Sequence, residues 1–195
     1  MIAAIVLAAG RATRMGEPKV LLSLGDRTLL AHVISAARAS GCGAVLVVAG
    51  WHAAEVRREA EAFGATVVVN PRYAEGMATS LAAGVAALPA DCEAAVVLLG
   101  DQPRIGPAAI NRLIAAHRAT GKPIVLSRYG GVAGPPALFA RALFSEVSAL
   151  TGDAGARGVA ARHPDRVAEV TLAADEAWDV DTPEDLARLR RAVML

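Results

Sequence analysis

Apolar runs of strand length alternate along this sequence with longer segments whose apolar positions recur at helical spacing. The runs are nearly continuous stretches of aliphatic residues, as is typical of strands covered on both faces of a sheet. This order predicts an α/β fold with a mostly parallel sheet. The predicted strands are residues 2–7, 44–48, 66–69, 95–99, 124–126 and 167–171, and the predicted helices are residues 29–39, 53–63, 79–88, 107–118, 138–150, 155–162 and 183–193.

Residues 130–136 contain three glycines and two prolines and are predicted as a loop at the ligand-binding edge of the sheet. No linker, repeat or low-complexity segment divides the sequence. A chain of 195 residues is long enough to bury a sizeable core. We therefore predict a single domain over residues 1–195.

Composition narrows the class of protein. Hydrophobic residues make up 54% of the chain and the net charge is +1, which excludes an extended disordered chain and gives no overall attraction to nucleic acid or acidic membranes. No apolar run approaches the ~18 residues of a membrane-spanning helix. The two cysteines form no CxxC pair, so we expect neither a disulfide framework nor a zinc site. We expect a cytoplasmic protein without nucleic acid or membrane partners.

Lysine is scarce in this chain. Of the 20 basic residues only Lys19 and Lys122 are lysines, and the others are arginines. Either lysine could be retained by chance, or for the compact charge and rotatable donors of an ammonium group. Both interpretations are open for each residue.

The first motif with candidate chemistry, LAAGRATRMGEPK, follows directly from the first predicted strand. Its small residues let the backbone approach a ligand, and its cations suit the oxygens of a triphosphate. Its glycine spacing matches neither a dinucleotide fingerprint nor a Walker loop. A basic surface loop is the alternative interpretation. The small residues are Ala8, Ala9 and Gly10, and the cations include Arg11, Arg14 and Lys19.

A carboxylate stands directly after the fourth predicted strand, in VVLLGDQP. Asp101 follows Gly100 at the end of an aliphatic run, which places it at the sheet edge where α/β proteins bind ligands. One or two carboxylates, together with phosphate oxygens, are the usual ligands of nucleotide-bound Mg²⁺. Asp101 is therefore a candidate metal ligand, and a turn-capping aspartate is the alternative.

Two further aspartates precede the last predicted helix, in WDVDTPEDL. Thr182 and Asp185 fit an N-cap and a near capping box, which explains both without catalysis. Asp179 and Asp181 are left unexplained. If Asp181 lies near Asp101 across the sheet edge, the pair could hold one Mg²⁺.

Two loops carry weaker signals. The stretch NPRYAEGMATS follows the third predicted strand and is rich in small residues, so Gly76 and Ser80 are candidate contacts to a base or ribose. The stretch TGDAGARG carries Asp153 at a predicted helix start, where a helix cap and an anion site are both open.

These motifs together resemble a known family. LAAGRATRMGEPK, GDQP, GPP, GDAGAR and DVDTPEDL occur in the order found in nucleotidyltransferases related to molybdenum cofactor maturation. The sequence most resembles the molybdenum cofactor cytidylyltransferase (MocA-like) group of the MobA-like nucleotidyltransferase family. The resemblance implies a three-layer Rossmann-like nucleotidyltransferase fold with a mostly parallel sheet. It also implies transfer of CMP from CTP to the terminal phosphate of the molybdopterin cofactor, with release of pyrophosphate.

The resemblance also implies roles for particular residues. Arg14 and Lys19 would hold the triphosphate and act in catalysis with Asp101, and Asp101 and Asp181 would ligate Mg²⁺. Related guanylyltransferases usually carry glycine at the position of Ala9 and methionine after the GD aspartate, where this sequence has glutamine, and both differences point to cytidine. The candidate nucleotide contacts are Leu7, Ala8, Ala9, Gly10, Gly76 and Ser80.

The expected ligands are CTP and the molybdopterin cofactor, and a molybdenum hydroxylase apoenzyme of the xanthine dehydrogenase type is a candidate partner. A different phosphorylated acceptor, the use of GTP, and a cofactor-binding chaperone are the alternatives. The combination of Arg14, Lys19 and Asp101 argues against a pure carrier, which needs no triphosphate site. The missing dinucleotide fingerprint argues against a dehydrogenase.

Overall fold

The computed structural model of the protein describes residues 1–10, 18–152 and 155–193. Its strands are β1 (Ile2–Ala8), β2 (Ser23–Leu24), β3 (Arg27–Thr28), β4 (Ala44–Ala49), β5 (Thr66–Val69), β6 (Ala94–Leu99), β7 (Ile124–Tyr129), β8 (Val132–Ala140) and β9 (Val167–Thr171). Its α-helices are α1 (Leu29–Arg38), α2 (Ala53–Ala62), α3 (Met77–Ala86), α4 (Pro107–Thr120), α5 (Phe144–Ser148), α6 (Ala156–Arg162) and α7 (Pro183–Val193).

Seven of these strands form one mostly parallel sheet in the order β5-β4-β1-β6-β8-β7-β9. Strand β1 is parallel to both β4 and β6, and β9 is parallel to β7. Strand β8 runs antiparallel to both of its neighbours, β6 and β7. The carboxyl ends of β1, β4, β5, β6, β7 and β9 therefore meet at one edge of the sheet, where α/β proteins bind ligands.

Helices cover both faces of the sheet. Ala4 and Val6 of β1 belong to a buried cluster with residues of α1, α2 and α4, whereas Ile5 and Leu7 belong to a second cluster with residues of α3, α5 and α6. Successive side chains of a strand point to opposite faces, so a continuous apolar run fills both layers. The three-layer α/β fold expected from the sequence is confirmed.

The prediction was wrong for residues 132–140. Most of the expected loop at 130–136 and the first three residues of the expected helix at 138–150 belong to strand β8, which forms a hairpin with β7. Helical structure is confined to a 3-10 turn at Arg141–Leu143 and to α5. Leu138 and Phe139 are almost fully buried between β6 and β7. A short apolar run does not distinguish a buried strand from a buried helix. Here the run forms a strand because it fills the position between β6 and β7 in the sheet.

Two prolines interrupt the ladder of this hairpin. The register shifts between Leu126 and Ser127, opposite the stretch that contains Pro135 and Pro136. The Ser127 hydroxyl donates a hydrogen bond to the carbonyl oxygen of Pro136 (2.6 Å), and the Tyr129 hydroxyl donates one to that of Pro135 (2.7 Å). Side chains thus satisfy carbonyl groups where proline provides no N–H for a regular ladder.

A small hairpin of β2 and β3 was not predicted, because each strand has only two residues. It supports α7 through a separate apolar cluster of buried residues. These residues are Leu24, Leu29, Val180, Leu186 and Leu189. The cluster ties the last helix to the segment that follows Lys19 in the sequence.

The predicted cap of α7 is present. The backbone N–H of Asp185 donates to Thr182 Oγ1 (3.2 Å), and the Asp185 carboxylate accepts hydrogen bonds from the backbone and hydroxyl of Thr182 (both 2.9 Å). These bonds satisfy N–H groups that a helix start leaves without intrahelical partners.

Replacing Thr182 with alanine is expected to lower the free energy of unfolding by about 1 kcal/mol, because it removes the hydroxyl of this cap. Urea denaturation followed by circular dichroism measures the loss. Thr120→Ala is the matched control, since the Thr120 hydroxyl donates to a carbonyl near the exposed end of α4. Equal unfolding midpoints for the wild type and Thr182→Ala would contradict the assigned cap.

Candidate functional site

Lys19 joins two carboxylates at the ligand-binding edge of the sheet. Its Nζ lies 2.5 Å from Asp101 Oδ2 and 2.8 Å from Asp181 Oδ1. The side chains of Lys19 and Asp101 are 18% and 16% exposed, whereas that of Asp181 is 58% exposed. The structure therefore brings together three of the residues that the sequence singled out, although Lys19 and Asp181 are 162 positions apart.

The turn that carries Lys19 packs against the ends of two central strands. Pro18 precedes a 3-10 turn at Lys19–Leu21, and the N–H of Gly100 donates to the carbonyl oxygen of Leu7 (2.9 Å). A Cβ atom on Gly100 would lie 3.2 Å from Val20 Cγ1 and 3.2 Å from the Leu7 oxygen. Glycine thus allows the turn to approach the end of β6, which places the ammonium group beside Asp101.

The DVD sequence before α7 carries the second carboxylate. Val180 is fully buried in the cluster under α7, and its N–H donates to the carbonyl oxygen of Asp101 (3.3 Å). Its two neighbours, Asp179 and Asp181, contact the GDQ turn and Lys19 respectively. The buried valine and its backbone bond therefore hold both aspartates at the end of β6.

A contact between Gln102 and Asp179 was not predicted. Gln102 is 2% exposed, and its Nε2 donates to Asp179 Oδ1 (2.6 Å), while its Oε1 is buried without a partner among the described residues. A salt bridge between Arg104 and Asp175 joins the same two segments. The sequence offered one signal for this contact, the DVD alternation, because residues two apart in an extended segment face the same way.

Mutual electrostatics shift the pKa values of two of these groups. Burial by itself would lower the pKa of Lys19, but the charge of Asp101 and the hydrogen bonds to Asp101 and Asp181 outweigh burial and raise it. Asp179 has an exposed side chain overall, yet its carboxylate is partly desolvated. That desolvation, followed by the negative charge of Asp101, raises the pKa of Asp179. The ammonium therefore stays protonated between its two carboxylates at neutral pH.

The first motif starts inside the sheet and ends at its edge. Leu7, Ala8 and Ala9 are buried, and the carbonyl oxygen of Ala9 accepts a hydrogen bond from the N–H of Trp51 (3.3 Å). A Cβ atom on Gly50 would lie 2.8 Å from the Ala9 methyl group, so this methyl packs against the end of β4. Gly10 is exposed, and no atom of the described residues lies within 4 Å of the position that a Cβ atom on it would take.

Some predicted site residues fall outside the part of the chain that the structure describes. These include Arg14, with Arg11 beside it, and also Asp153. Their roles stay predictions.

Gly76 and Ser80 are placed differently from each other. Gly76 precedes α3 with φ of 112°, and a Cβ atom there would lie 2.4 Å from the carbonyl oxygen of Gly152. Ser80 is 4% exposed, and its hydroxyl accepts a hydrogen bond from Asn70 Nδ2 (3.0 Å). Gly76 thus allows close backbone contact at the edge, whereas the Ser80 hydroxyl already bonds to a buried side chain. Their predicted contacts to nucleotide stay predictions.

Comparison with known proteins assigns the chain to a family. Residues 4–167 match the MobA-like NTP transferase domain. The chain belongs to this family. The family expected from the motifs and the coarse activity class, nucleotidyl transfer, are therefore confirmed.

This MobA-like transferase is similar to other proteins over nearly the whole of the given sequence. The chain is 33% identical to nicotine blue oxidoreductase from Paenarthrobacter nicotinovorans, covering 96% of each protein. It is 32% identical to Rv0371c from Mycobacterium tuberculosis H37Rv in complex with manganese, with a TM-score of 0.83 and coverage of 98% of each chain. A nucleotidyl transferase from Methanothermobacter has a TM-score of 0.85 at 24% identity, covering 100% of this chain and 98% of its own, and supports the fold alone.

The two carboxylates of this MobA-like transferase fit a divalent cation. Asp101 and Asp181 lie within hydrogen-bond distance of one atom, Lys19 Nζ, so a single ion can replace that atom between them. Within residues 1–10, 18–152 and 155–193, no group of three or more histidine, cysteine, aspartate or glutamate side chains could hold a metal. At nucleotide sites, Mg²⁺ usually binds one or two carboxylates together with phosphate oxygens and water.

The partly buried contact between Gln102 and Asp179 gives a test of the site's architecture. Gln102→Glu is expected to lower the free energy of unfolding at neutral pH by about 1–3 kcal/mol, because it faces Asp179 with a like charge and removes the donor. Adding Asp179→Asn should recover most of the loss, since the asparagine amide can donate to the new carboxylate. Urea denaturation measures both variants. A Gln102→Glu variant as stable as the wild type would show that the contact does not form.

Membrane insertion through a long apolar helix finds no support in the described part of the chain. None of its helices is both long and apolar enough to cross a bilayer.

Proposed function

We propose that the protein transfers CMP from CTP to the terminal phosphate of the molybdopterin cofactor and releases pyrophosphate. The observation that carries the proposal is the Lys19 ammonium between Asp101 and Asp181 at the carboxyl ends of the parallel strands. Such a site combines a phosphate-binding cation with two carboxylates for Mg²⁺. The choice of CTP and of the acceptor rests on the motif resemblance, in particular on Ala9 and Gln102.

In the proposed reaction, an oxygen of the acceptor phosphate attacks the α-phosphorus of CTP. A new P–O bond forms, the bond between the α-phosphorus and its bridging oxygen breaks, and pyrophosphate leaves with that oxygen. A phosphate nucleophile is already ionised at neutral pH, so the site needs orientation and charge stabilisation more than a general base. When bound, Mg²⁺ would supply further positive charge at the phosphate oxygens.

The protein's own residues supply the rest. Lys19 would bind oxygens of the departing pyrophosphate, and Arg14 is proposed for the same task. Asp101 and Asp181 would hold the cation at the edge of the sheet. The backbone at Gly10 would approach the nucleotide closely, since this residue carries no side chain. Gly76 is proposed to contact the nucleotide as well.

The remaining features of the proposal rest on the sequence composition and on the motif resemblance. We propose one nucleotidyltransferase domain over residues 1–195, acting in the cytoplasm. A molybdenum hydroxylase apoenzyme of the xanthine dehydrogenase type is the proposed recipient of the product.

The decisive experiment measures pyrophosphate release by the purified protein with Mg²⁺, molybdopterin cofactor and one of CTP, GTP, ATP or UTP. We expect turnover with CTP. Selective turnover of GTP would overturn the base assignment, and turnover that does not need the pterin would overturn the acceptor. Pterin binding without turnover of any nucleotide would favour a cofactor chaperone.

The similarity to nicotine blue oxidoreductase favours a second candidate, a redox reaction, because it covers 96% of both proteins. An oxidoreductase needs an electron donor and an electron acceptor, so oxidation of NADH and NADPH by the protein should be followed with nicotine blue, the compound in that relative's name, as the acceptor. Oxidation without pyrophosphate release would favour the redox function over nucleotidyl transfer.

A further inference from the structure

The position of Lys19 bears on how metal and nucleotide enter the site. Its ammonium contacts Asp101 at 2.5 Å and Asp181 at 2.8 Å, so it occupies the space between the two carboxylates that are proposed to hold Mg²⁺. The ammonium and a metal ion cannot occupy this space together. Metal binding and the position of Lys19 are therefore linked.

We propose that Lys19 occupies the carboxylate pair in the nucleotide-free protein and leaves it to the divalent cation only when a triphosphate is present to bind the ammonium. The inference rests on the proposed function, because it takes Asp101 and Asp181 as the metal-binding pair. It adds that the metal binds to the carboxylate pair only together with the nucleotide.

Charge balance is the first argument. Asp101 is only 16% exposed and lies close to both Asp181 and Asp179, whose charges repel its own. Carboxylates placed so closely in a poorly solvated site need a counter-charge, and Lys19 provides it. Removing the ammonium without a replacement would leave these charges uncompensated.

The ligand count is the second argument. The described part of the chain offers the cation two carboxylates but no cluster of three metal-binding side chains. Mg²⁺ demands six oxygen ligands and gives up its waters reluctantly. Free Mg²⁺ would gain only two protein ligands, so we expect the Lys19 ammonium to keep its place between the carboxylates. A triphosphate that carries Mg²⁺ would add phosphate oxygens as metal ligands and would also accept hydrogen bonds from the ammonium.

The chemistry of lysine makes the exchange possible. The ammonium is a compact charge at the end of a flexible chain of four carbons, with donors that rotate freely. Lys19 stands at the start of a short 3-10 turn, preceded by Pro18. Its side chain can therefore move to a phosphate while its backbone stays in place.

Mn²⁺ binding to the nucleotide-free protein tests the competition. Lys19→Met keeps the length of the side chain and removes the charge, and it should bind Mn²⁺ at least about tenfold more tightly than the wild type, as measured by electron paramagnetic resonance. Lys122→Met is the matched control, because Lys122 contacts the carbonyl oxygen of Asp165 and neither carboxylate of the site. Lys122→Met should leave the affinity unchanged.

Two results would overturn the competition. One is Mn²⁺ affinity of Lys19→Met equal to or below that of the wild type, including the case in which neither binds. The other is a gain in affinity that survives Asp101→Asn in the Lys19→Met background, because the metal would then bind elsewhere. None of these measurements requires turnover. A failure of the proposed competition can therefore be distinguished from a failure of the protein to release pyrophosphate.

Loss of any nearby positive charge would also raise metal affinity, so a second measurement follows the ammonium itself in the wild-type protein. With only two lysines in the chain, labelling with [¹⁵N]lysine gives two side-chain signals, which Lys122→Met assigns. The Lys19 signal should stay in place with Mg²⁺ alone and shift when inorganic triphosphate is added with Mg²⁺. A shift with Mg²⁺ alone, or no shift with both, would overturn the proposed order of binding.

Discussion

Replacing Asp101 with asparagine is expected to lower the rate of pyrophosphate release by about 10²–10³-fold, the cost of removing a single electrostatic contact from a preorganised active site. Asp101 is the less exposed of the two carboxylates that contact Lys19, at 16% against 58% for Asp181. Its charge is therefore less screened by solvent, and Asp181→Asn should cost less. Steady-state kinetics with saturating nucleotide measures the change.

Asp26→Asn is the control for the loss of Asp101. Asp26 is 87% exposed in the turn between β2 and β3, and it forms an ion pair with its neighbour Arg27 at 3.9 Å. The same change of chemistry at this position should leave the rate unaltered. If Asp101→Asn retained the wild-type rate, or if Asp181→Asn were the more damaging of the two, the proposed role of Asp101 would be wrong.

Lys19→Met is expected to lower pyrophosphate release by a similar factor, about 10²–10³-fold, because an apolar chain cannot neutralise charge on the departing phosphates. Lys19→Arg should recover only part of the activity, since a planar guanidinium is wider than an ammonium and has a fixed donor geometry. Acid-quenched measurement of the pyrophosphate formed under single-turnover conditions reports the chemical step without product release.

The control for this change is again Lys122→Met, which removes the other lysine and should retain full activity. Thermal unfolding of both variants checks that each is folded. The contrast with metal binding is informative, because the same Lys19→Met change is expected to improve Mn²⁺ binding while it lowers turnover. Full activity in Lys19→Met would remove the lysine from the reaction altogether.

The sequence predicted those elements whose residue pattern fits only one kind of local structure. The apolar run at 2–7 and the cap at Thr182 and Asp185 are local signals, and both were confirmed. Residues 132–136 were mispredicted as a loop because of their glycine and proline content, although they belong to β8. Residues 138–140 were mispredicted as helix because a short apolar run fits a strand or a helix equally well, and the position between β6 and β7 makes it a strand. Strands of two residues, such as β2, leave no periodic signal at all.

The candidate site was also predicted only in part, because motifs indicate its residues but not the contacts between them. The residue types at Lys19, Asp101 and Asp181 could be chosen from motifs because each follows a buried strand or precedes a helix. Their meeting depends on the return of the chain after β9, which the backbone bond from Val180 to Asp101 secures. The contact between Gln102 and Asp179 joins residues 77 positions apart, and the DVD alternation indicates only that Asp179 and Asp181 face the same way.

The place of β8 in the sheet has a consequence for the synthesis of the chain. Strand β6 pairs with β8 rather than with the strand that follows it in sequence, and β8 ends only at Ala140. A nascent chain that has just released β6 from the ribosome therefore presents a row of unpaired N–H and C=O groups for the time needed to make some forty further residues. Pairings between distant segments also form slowly. Misassembly with another unfinished copy should be most frequent in this interval, and chains truncated before β8 should aggregate.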